Sequence, residues 1–224
     1  MLKERIAILD GFRTPMGKAG GMLGDIQADD LCVYPIKAVF GATGIKPEEI
    51  DEVIIGNVAQ PSHAANIARV IALKAGVPQN VPAFTVHRNC ASGMQSITNG
   101  AESLLLGKSS IILAGGTESM SNIPFLFSKE YKEFMTRLAR ARSVWQRLKV
   151  LAGFRLSMVK PEIGLKQGLT DPVSGMIMGD TAENLAREFH IDRKAQDEYA
   201  LLSHERALAA MDDGIFDTEV VPVN

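Results

Sequence analysis

Short apolar runs alternate with amphipathic stretches through the first 120 residues. Arg5 to Asp10, in RIAILDG, predicts a strand. DEVIIGNVAQ predicts one over Glu52 to Val58, VPAFTVH one over Val81 to His87, and SIILAGG another. Between them ADDLCVYPIKAVFGATG has helical spacing from Asp29 to Phe40, with Asp29 or Asp30 to cap it and Gly41 or Gly44 to end it. NIARVIALKAG predicts a helix ending at Gly76, with Pro78 beyond. A third helix is expected from Ala91 to Leu106, closed by Gly107. Strands alternating with helices argue for an α/β layer with a mixed sheet and buried helices. GKAGGMLGD lacks the G-x-G-x-x-G spacing and reads as a turn-rich loop.

Beyond residue 120 the pattern changes. Phe134, Leu138, Ala141, Trp145, Leu148 and Ala152 recur at three- and four-residue spacing. Arg137, Arg140, Arg142, Arg147 and Lys149 fall largely elsewhere on the wheel, and Arg137 to Lys160 holds seven basic residues and no acidic one. Lys129 to Lys160 therefore reads as a basic amphipathic helix or helix pair, with the only tryptophan on its apolar side. Such an element suits a membrane surface or a partner groove, and equally a helix packed on the protein's own body. GLTDPVSGMIMGDT is loop-like. Two helices follow, the first capped by Asp180 with Glu183, the second by Asp192 and stopped at Gly214. FDTEVVPVN is strand-like. There is no internal repeat.

Composition narrows the classes. The 224 residues allow one large domain or a small pair, and 46% hydrophobic with 22% charged content suits a globular core. A net charge of −2 creates no field favouring nucleic acid. Cys32 and Cys90 make no disulfide framework or zinc pattern, and the four histidines include no pair at metal-ligand spacing. The charged start, MLKERIAILDGFRTP, is expected to be neither signal nor transit peptide. No apolar run approaches the ~18 residues of a membrane span. These features give a reducing, cytoplasmic setting as the expectation.

The sharpest chemical signal lies in TVHRNCASGMQSITNGAESLLLGKSSIILAGG, where Cys90 sits between a strand and a helix. The first turn of a helix offers free N–H groups and a partial positive charge. Both stabilise a thiolate, and the same N–H groups can hold the oxygen of an acyl group on that sulfur. Gly93, Ser96 and Gly100 give the helix a face of small residues, while Met94, Ile97, Ala101, Leu104 and Leu105 supply apolar surface. The expectation is a buried, closely packed helix. On placement alone, Cys90 reads equally as a nucleophile or a core thiol. His87, on the strand, is no obvious base. Cys32, within a helix, reads as a core thiol.

NCASGMQSI followed by GKSSIILAGGTESMSNIPF resembles the active-site region of the thiolases, the 3-ketoacyl-CoA acyltransferases. AILDGFRTPMGKAGGMLGDI, GNVAQ with NIARVIALKAGVP, GLTDPVSGMIMGDTAENLA and AQDEYALLSHERALAA resemble thiolase segments in order, so the resemblance covers essentially the whole chain. It implies a thiolase fold, with a thiolase N-terminal α/β domain over 1–120 and a mostly helical loop domain over 121–224 that carries the basic insertion 129–160. Cys90, with Ser92 in the Cys-x-Ser motif, would be the acyl-accepting nucleophile. Leu169 and Met178 match positions that lie against coenzyme A. CoA enters as a substrate; no other cofactor and no metal is implied.

The resemblance further implies ping-pong acyl transfer between a 3-ketoacyl-CoA and CoA, releasing acetyl-CoA in fatty-acid β-oxidation. Many short-chain thiolases carry a histidine just before the methionine of this motif, where this chain has Ile177. The insertion resembles that of the thiolase subunit in trifunctional-type complexes. That implies medium- or long-chain substrates, a hydratase/dehydrogenase partner subunit and peripheral membrane contact. A homodimer or tetramer is expected, with no nucleic-acid partner, in the cytoplasm or, for a processed eukaryotic protein, the mitochondrial matrix. The C-terminal thiolase half, with its histidine motif and second cysteine, is not found in the sequence, and the first half lacks its closing strand. The chain alone is therefore expected to be a poor thiolase. The alternatives are a biosynthetic acetoacetyl-CoA thiolase and a non-catalytic thiolase-like module that binds acyl-CoA or a partner.

Overall fold

The computed structural model describes residues 5–164 and 168–223. Residues 1–4, at the charged start, and Asn224, at the end of the last strand-like run, lie outside them. The chain forms two compact units: residues 1–123 with 194–224, and residues 124–193.

The first unit is built on a sheet of three parallel strands in the order β2-β1-β3: β1 (Glu52–Gly56), β2 (Ala83–Val86) and β3 (Ile112–Gly116). All three run the same way, as successive strands joined by crossover helices do. Val53 and Ile55 face α1 (Ala28–Thr43) and α2 (Ile67–Lys74), and form the core with Cys32, Ile36, Ile67, Ile71 and Leu113. Each fully buried Val or Ile contributes about 1.5–3 kcal/mol. The other face takes α3 (Ser92–Leu105).

The expected strand from Arg5 to Asp10 does not form. Ile8 and Leu9 are 85% and 64% exposed, because no neighbouring backbone among the described residues takes their bonds. The first pairing comes at Arg13, which bridges Val220 and sets its guanidinium on Glu219 at 2.6 Å and over the Phe216 ring. The glycine-rich run is a loop, as expected. Asn122 Nδ2 donates to the Gly24 and Ile26 carbonyls, and Ser119 Oγ to that of Ile26.

Helix α1 starts one residue before its expected caps. Its cap position is Gln27, and Asp29 and Asp30 lie in the first turn. Asp29 is fully buried and accepts from Lys74 Nζ at 2.7 Å; its other oxygen meets His63 Nε2 at 3.2 Å. This cluster ties the start of α1 to the end of α2. Asn66 and Arg69 are also architectural. The Asn66 amide donates to the Ala83 carbonyl, and the Arg69 guanidinium to those of Val81 and Gln79.

In the second unit the basic stretch is a helix pair, α4 (Lys129–Arg140) and α5 (Val144–Leu151). Ser128 Oγ caps α4 by accepting from the Tyr131 N–H, and a Ser143–Gln146 capping box starts α5. The break between them splits the expected apolar stripe. Ala141 is buried and Phe134 half-buried against Phe154, while Trp145 is 82% exposed. A two-stranded antiparallel pair joins β4 (Phe125–Leu126) to β5 (Glu162–Ile163). Helix α6 (Met178–Glu188) closes the unit. Helix α7 (Arg193–Asp212) leads back to the first. Asp180 falls inside α6, whose cap position is Ile177. No described helix is long and apolar enough to cross a membrane.

Burial opposes ionisation of Asp29, but hydrogen bonds from Lys74 and His63 outweigh it and hold the carboxyl below its usual 3.8. Its stabilisation is therefore complete above pH 3.8 and lost as pH falls below that value. Asp29→Asn should lower stability in urea at pH 7 by about 1–3 kcal/mol. The gap from wild type should close in acid.

Candidate active site

Cys90 lies in the five-residue turn joining β2 to α3. The seat for this turn is made of glycine. A Cβ on Gly56, at the end of β1, would overlap the backbone of Ser92 and Gly93. One on Gly116, at the end of β3, would lie 3.1 Å from the Gly93 Cα. The helix comes close enough for Ser96 Oγ to bond the Gly115 carbonyl at 2.7 Å. Ser92, Ser96 and Gly100 form the buried face of α3. The small-residue face is thus packed as expected, but Met94 and Ile97 on the other side are 64% and 46% exposed.

Within the turn, Asn89 takes a left-handed conformation, φ 48°, which asparagine tolerates better than most residues. The Ala91 N–H bonds the Arg88 carbonyl and the Ser92 N–H bonds that of Asn89, each at 3.0 Å. The Ser92 hydroxyl accepts from the Arg88 N–H at 2.8 Å and donates to the Asn89 carbonyl at 2.6 Å. The Cys90 N–H bonds no described residue.

The two cysteines differ in kind. Cys32 is buried, and burial pushes its thiol up to about 12. Cys90 is exposed, so the core-thiol reading belongs to Cys32. The His87 ring takes a 3.5 Å contact from the Asn89 N–H, within the turn itself.

The strand ends beside the turn are cross-braced. Asn57 Nδ2 donates to the Thr117 carbonyl and Glu118 Oε1, and the Glu118 carboxylate also accepts from the Val58 N–H at 2.9 Å. Nothing in the sequence flagged Asn57 or Glu118, because their pairing spans sixty-one positions.

Leu169 and Met178 belong to the second unit. The Met178 N–H donates to the Leu169 carbonyl at 3.2 Å, and Thr170 bridges Ile177, so the two residues close the ends of one loop. Asp171 shapes it by accepting from the Ser174 hydroxyl and the Val173 N–H; both bonds hold its carboxyl below the usual range. Leu169 and Met178 are both exposed, a placement unlike core packing. Among the described residues no cluster of side chains is arranged to hold a metal ion.

The family model "Thiolase, N-terminal domain" matches residues 6–224. A probable acetyl-CoA acyltransferase of Staphylococcus aureus (strain COL) is 40% identical over 223 residues, 98% of this chain and 51% of the relative. Among solved structures, the Bacillus anthracis acetyl-CoA acetyltransferase aligns with a TM-score of 0.83 at 35% identity, covering 96% of this chain and 50% of the other. Human mitochondrial 3-ketoacyl-CoA thiolase in complex with CoA aligns at 0.79 and 36%, covering 95% and 50%. The chain thus spans about half the length of the curated relatives it matches.

A methyl group at Gly56 has no room without moving the first turn of α3. Gly56→Ala should cost about 1–3 kcal/mol or more in thermal unfolding. It should also change the rate at which iodoacetamide labels Cys90.

Proposed function

The chain belongs to the thiolase family, and on that premise we propose that it is the nucleophile-bearing part of a 3-ketoacyl-CoA thiolase. The observation that carries the reading is an exposed thiol, Cys90, on the turn into α3, with its own N–H beside it bonded to no described residue. In the proposed reaction the Cys90 thiol gives up its proton and its sulfur attacks the 3-keto carbon. The bond between C2 and C3 breaks, its electron pair stays on C2, and C2 takes a proton and leaves as acetyl-CoA. The acyl group remains on Cys90 as a thioester. The thiol of free CoA loses its proton, attacks that thioester and carries the acyl group away, restoring Cys90. The Cys90 N–H would hold the oxygen that becomes negative in each step.

We assign the proton transfers to the length of the curated relatives that this chain does not span. The exposed loop closed by Leu169 and Met178 is proposed to lie along CoA, with Ile177 favouring acyl chains longer than acetoacetyl. This reading makes acyl-CoA and CoA the substrates, places the chain in a larger oligomeric enzyme of fatty-acid oxidation, and requires no further cofactor.

The second unit supports a peripheral membrane contact in the same reading. Val144, Trp145, Leu148 and Leu151 are all exposed on α5, and Arg142, Arg147 and Lys149 lie among them in sequence. Exposed Trp and Leu flanked by Arg and Lys are what an anionic lipid surface takes.

Incubation with acetyl-CoA should add one acetyl group to the tryptic peptide carrying Cys90, read by mass spectrometry, and none in Cys90→Ala. Steady-state thiolysis of a long-chain 3-ketoacyl-CoA should be absent with this chain alone. CoA binding without any adduct would instead identify a non-catalytic binding module. For the second unit, Trp145→Ala with Leu148→Ala should weaken co-sedimentation with phosphatidylserine vesicles roughly tenfold, about 1.4 kcal/mol. Unchanged sedimentation would remove the membrane from the reading.

A further inference from the structure

We propose that Ser92 is a positioning residue whose hydroxyl fixes the peptide plane between Asn89 and Cys90, holding the Cys90 N–H as a rigid donor to the oxygen of the acyl group on its own sulfur. The proposal rests on the reading of Cys90 as the acyl-accepting nucleophile.

The Asn89 carbonyl and the Cys90 N–H belong to one planar trans peptide, so fixing one fixes the other. The chain has no described cis bond. The Asn89 oxygen receives two donors from a single residue, the Ser92 N–H at 3.0 Å and the Ser92 hydroxyl at 2.6 Å. Two bonds from different directions restrain the carbonyl against rotation as well as displacement. The hydroxyl is itself held, because it accepts from the Arg88 N–H at 2.8 Å. Ser92 is 4% exposed, so water has little access to replace either bond. In a trans peptide the N–H points opposite to the carbonyl. With the carbonyl drawn toward Ser92, the Cys90 N–H is turned away from the helix, and no described residue uses it.

The arrangement also answers a local cost. Asn89 sits in a left-handed conformation, which costs asparagine less than most residues but still needs support from its surroundings. The Ser92 bonds span that residue on both sides, at Arg88 N and Asn89 O. Without the hydroxyl, the 89–90 peptide loses one of its two anchors and is free to tilt. A donor that has lost its aim stabilises an oxyanion poorly but leaves the thiol present and exposed.

This separates two reactions of the same sulfur. Acyl transfer from p-nitrophenyl acetate forms an oxyanion at the attacked carbonyl, which collapses to expel p-nitrophenolate and leave the acetyl thioester. Alkylation by iodoacetamide displaces iodide and forms no oxyanion. Both are measured on the whole chain by the mass of the Cys90 peptide, with melting temperature as a check on the fold. Ser92→Ala, which misaims the donor without removing it, should slow acetylation by up to roughly 100-fold, the scale of a group misplaced by about 1 Å. It should leave alkylation within about twofold of wild type. Ser92→Thr, which keeps the hydroxyl, should restore most of the acetylation rate. Acetylation and alkylation falling together, acetylation unchanged in Ser92→Ala, no rescue by threonine, or a Ser92→Ala chain that does not fold would each overturn the proposal. A wild-type chain that p-nitrophenyl acetate does not acetylate at Cys90 would overturn the nucleophile reading itself, visible before any change at Ser92.

Discussion

The contact on which the candidate site depends is backbone against backbone. The first turn of α3 rests on the ends of β1 and β3 with glycine on both sides, Gly56 and Gly116 below and Gly93 above. Side chains there would hold helix and sheet apart. Their absence lets Ser96 reach a strand carbonyl, buries Ser92, and leaves the turn before it to rise out of the sheet with Cys90 exposed. The exposure of Cys90 is thus a by-product of tight packing one turn later. A close-packed interior transmits a change in volume to its neighbours, so the site inherits the rigidity of the sheet.

Much of this could be read in the sequence, since it follows from local periodicity. The small-residue spacing at Gly93, Ser96 and Gly100 predicts a helix face that packs closely, and Ser96 and Gly100 are buried. Strands β1, β2 and β3 lie inside their predicted ranges, trimmed at the ends where pairing stops. The cap of α5 was available as Ser143 followed three residues later by Gln146. The thiolase motif around Cys90 pointed to the turn, although its neighbour Ser92 gave no hint of bonding backward to Arg88 and Asn89.

What could not be read depends on groups far apart in the chain. The Asp29, Lys74 and His63 cluster draws on three separate segments, and the brace from Glu118 to Asn57 and Val58 joins two that lie about sixty positions apart. The strand expected at Arg5 to Asp10 fails for a related reason. Its residues suit a strand, but a strand exists only where another segment takes its bonds, and no described segment takes theirs. The apolar stripe over residues 134–152 fitted either one helix or a helix pair, and it is a pair. The break after α4 turns its two ends to different environments, and periodicity alone carries no record of that burial.

The Arg13 clasp has a bearing on how the chain is made. Arg13 pairs with Glu219 across 206 positions and with Val220 beside it, and in sequence the second unit separates the two parts of the first. During synthesis the sheet and its three helices can assemble as soon as residue 123 emerges, since every strand is already present. The clasp cannot. Its partners, Glu219 and Val220, follow the second unit in the chain, so Arg13 must wait while a whole separate unit is translated. The first unit therefore spends part of its birth open at one end, and the order of translation, rather than the strength of any bond, decides when that end can close.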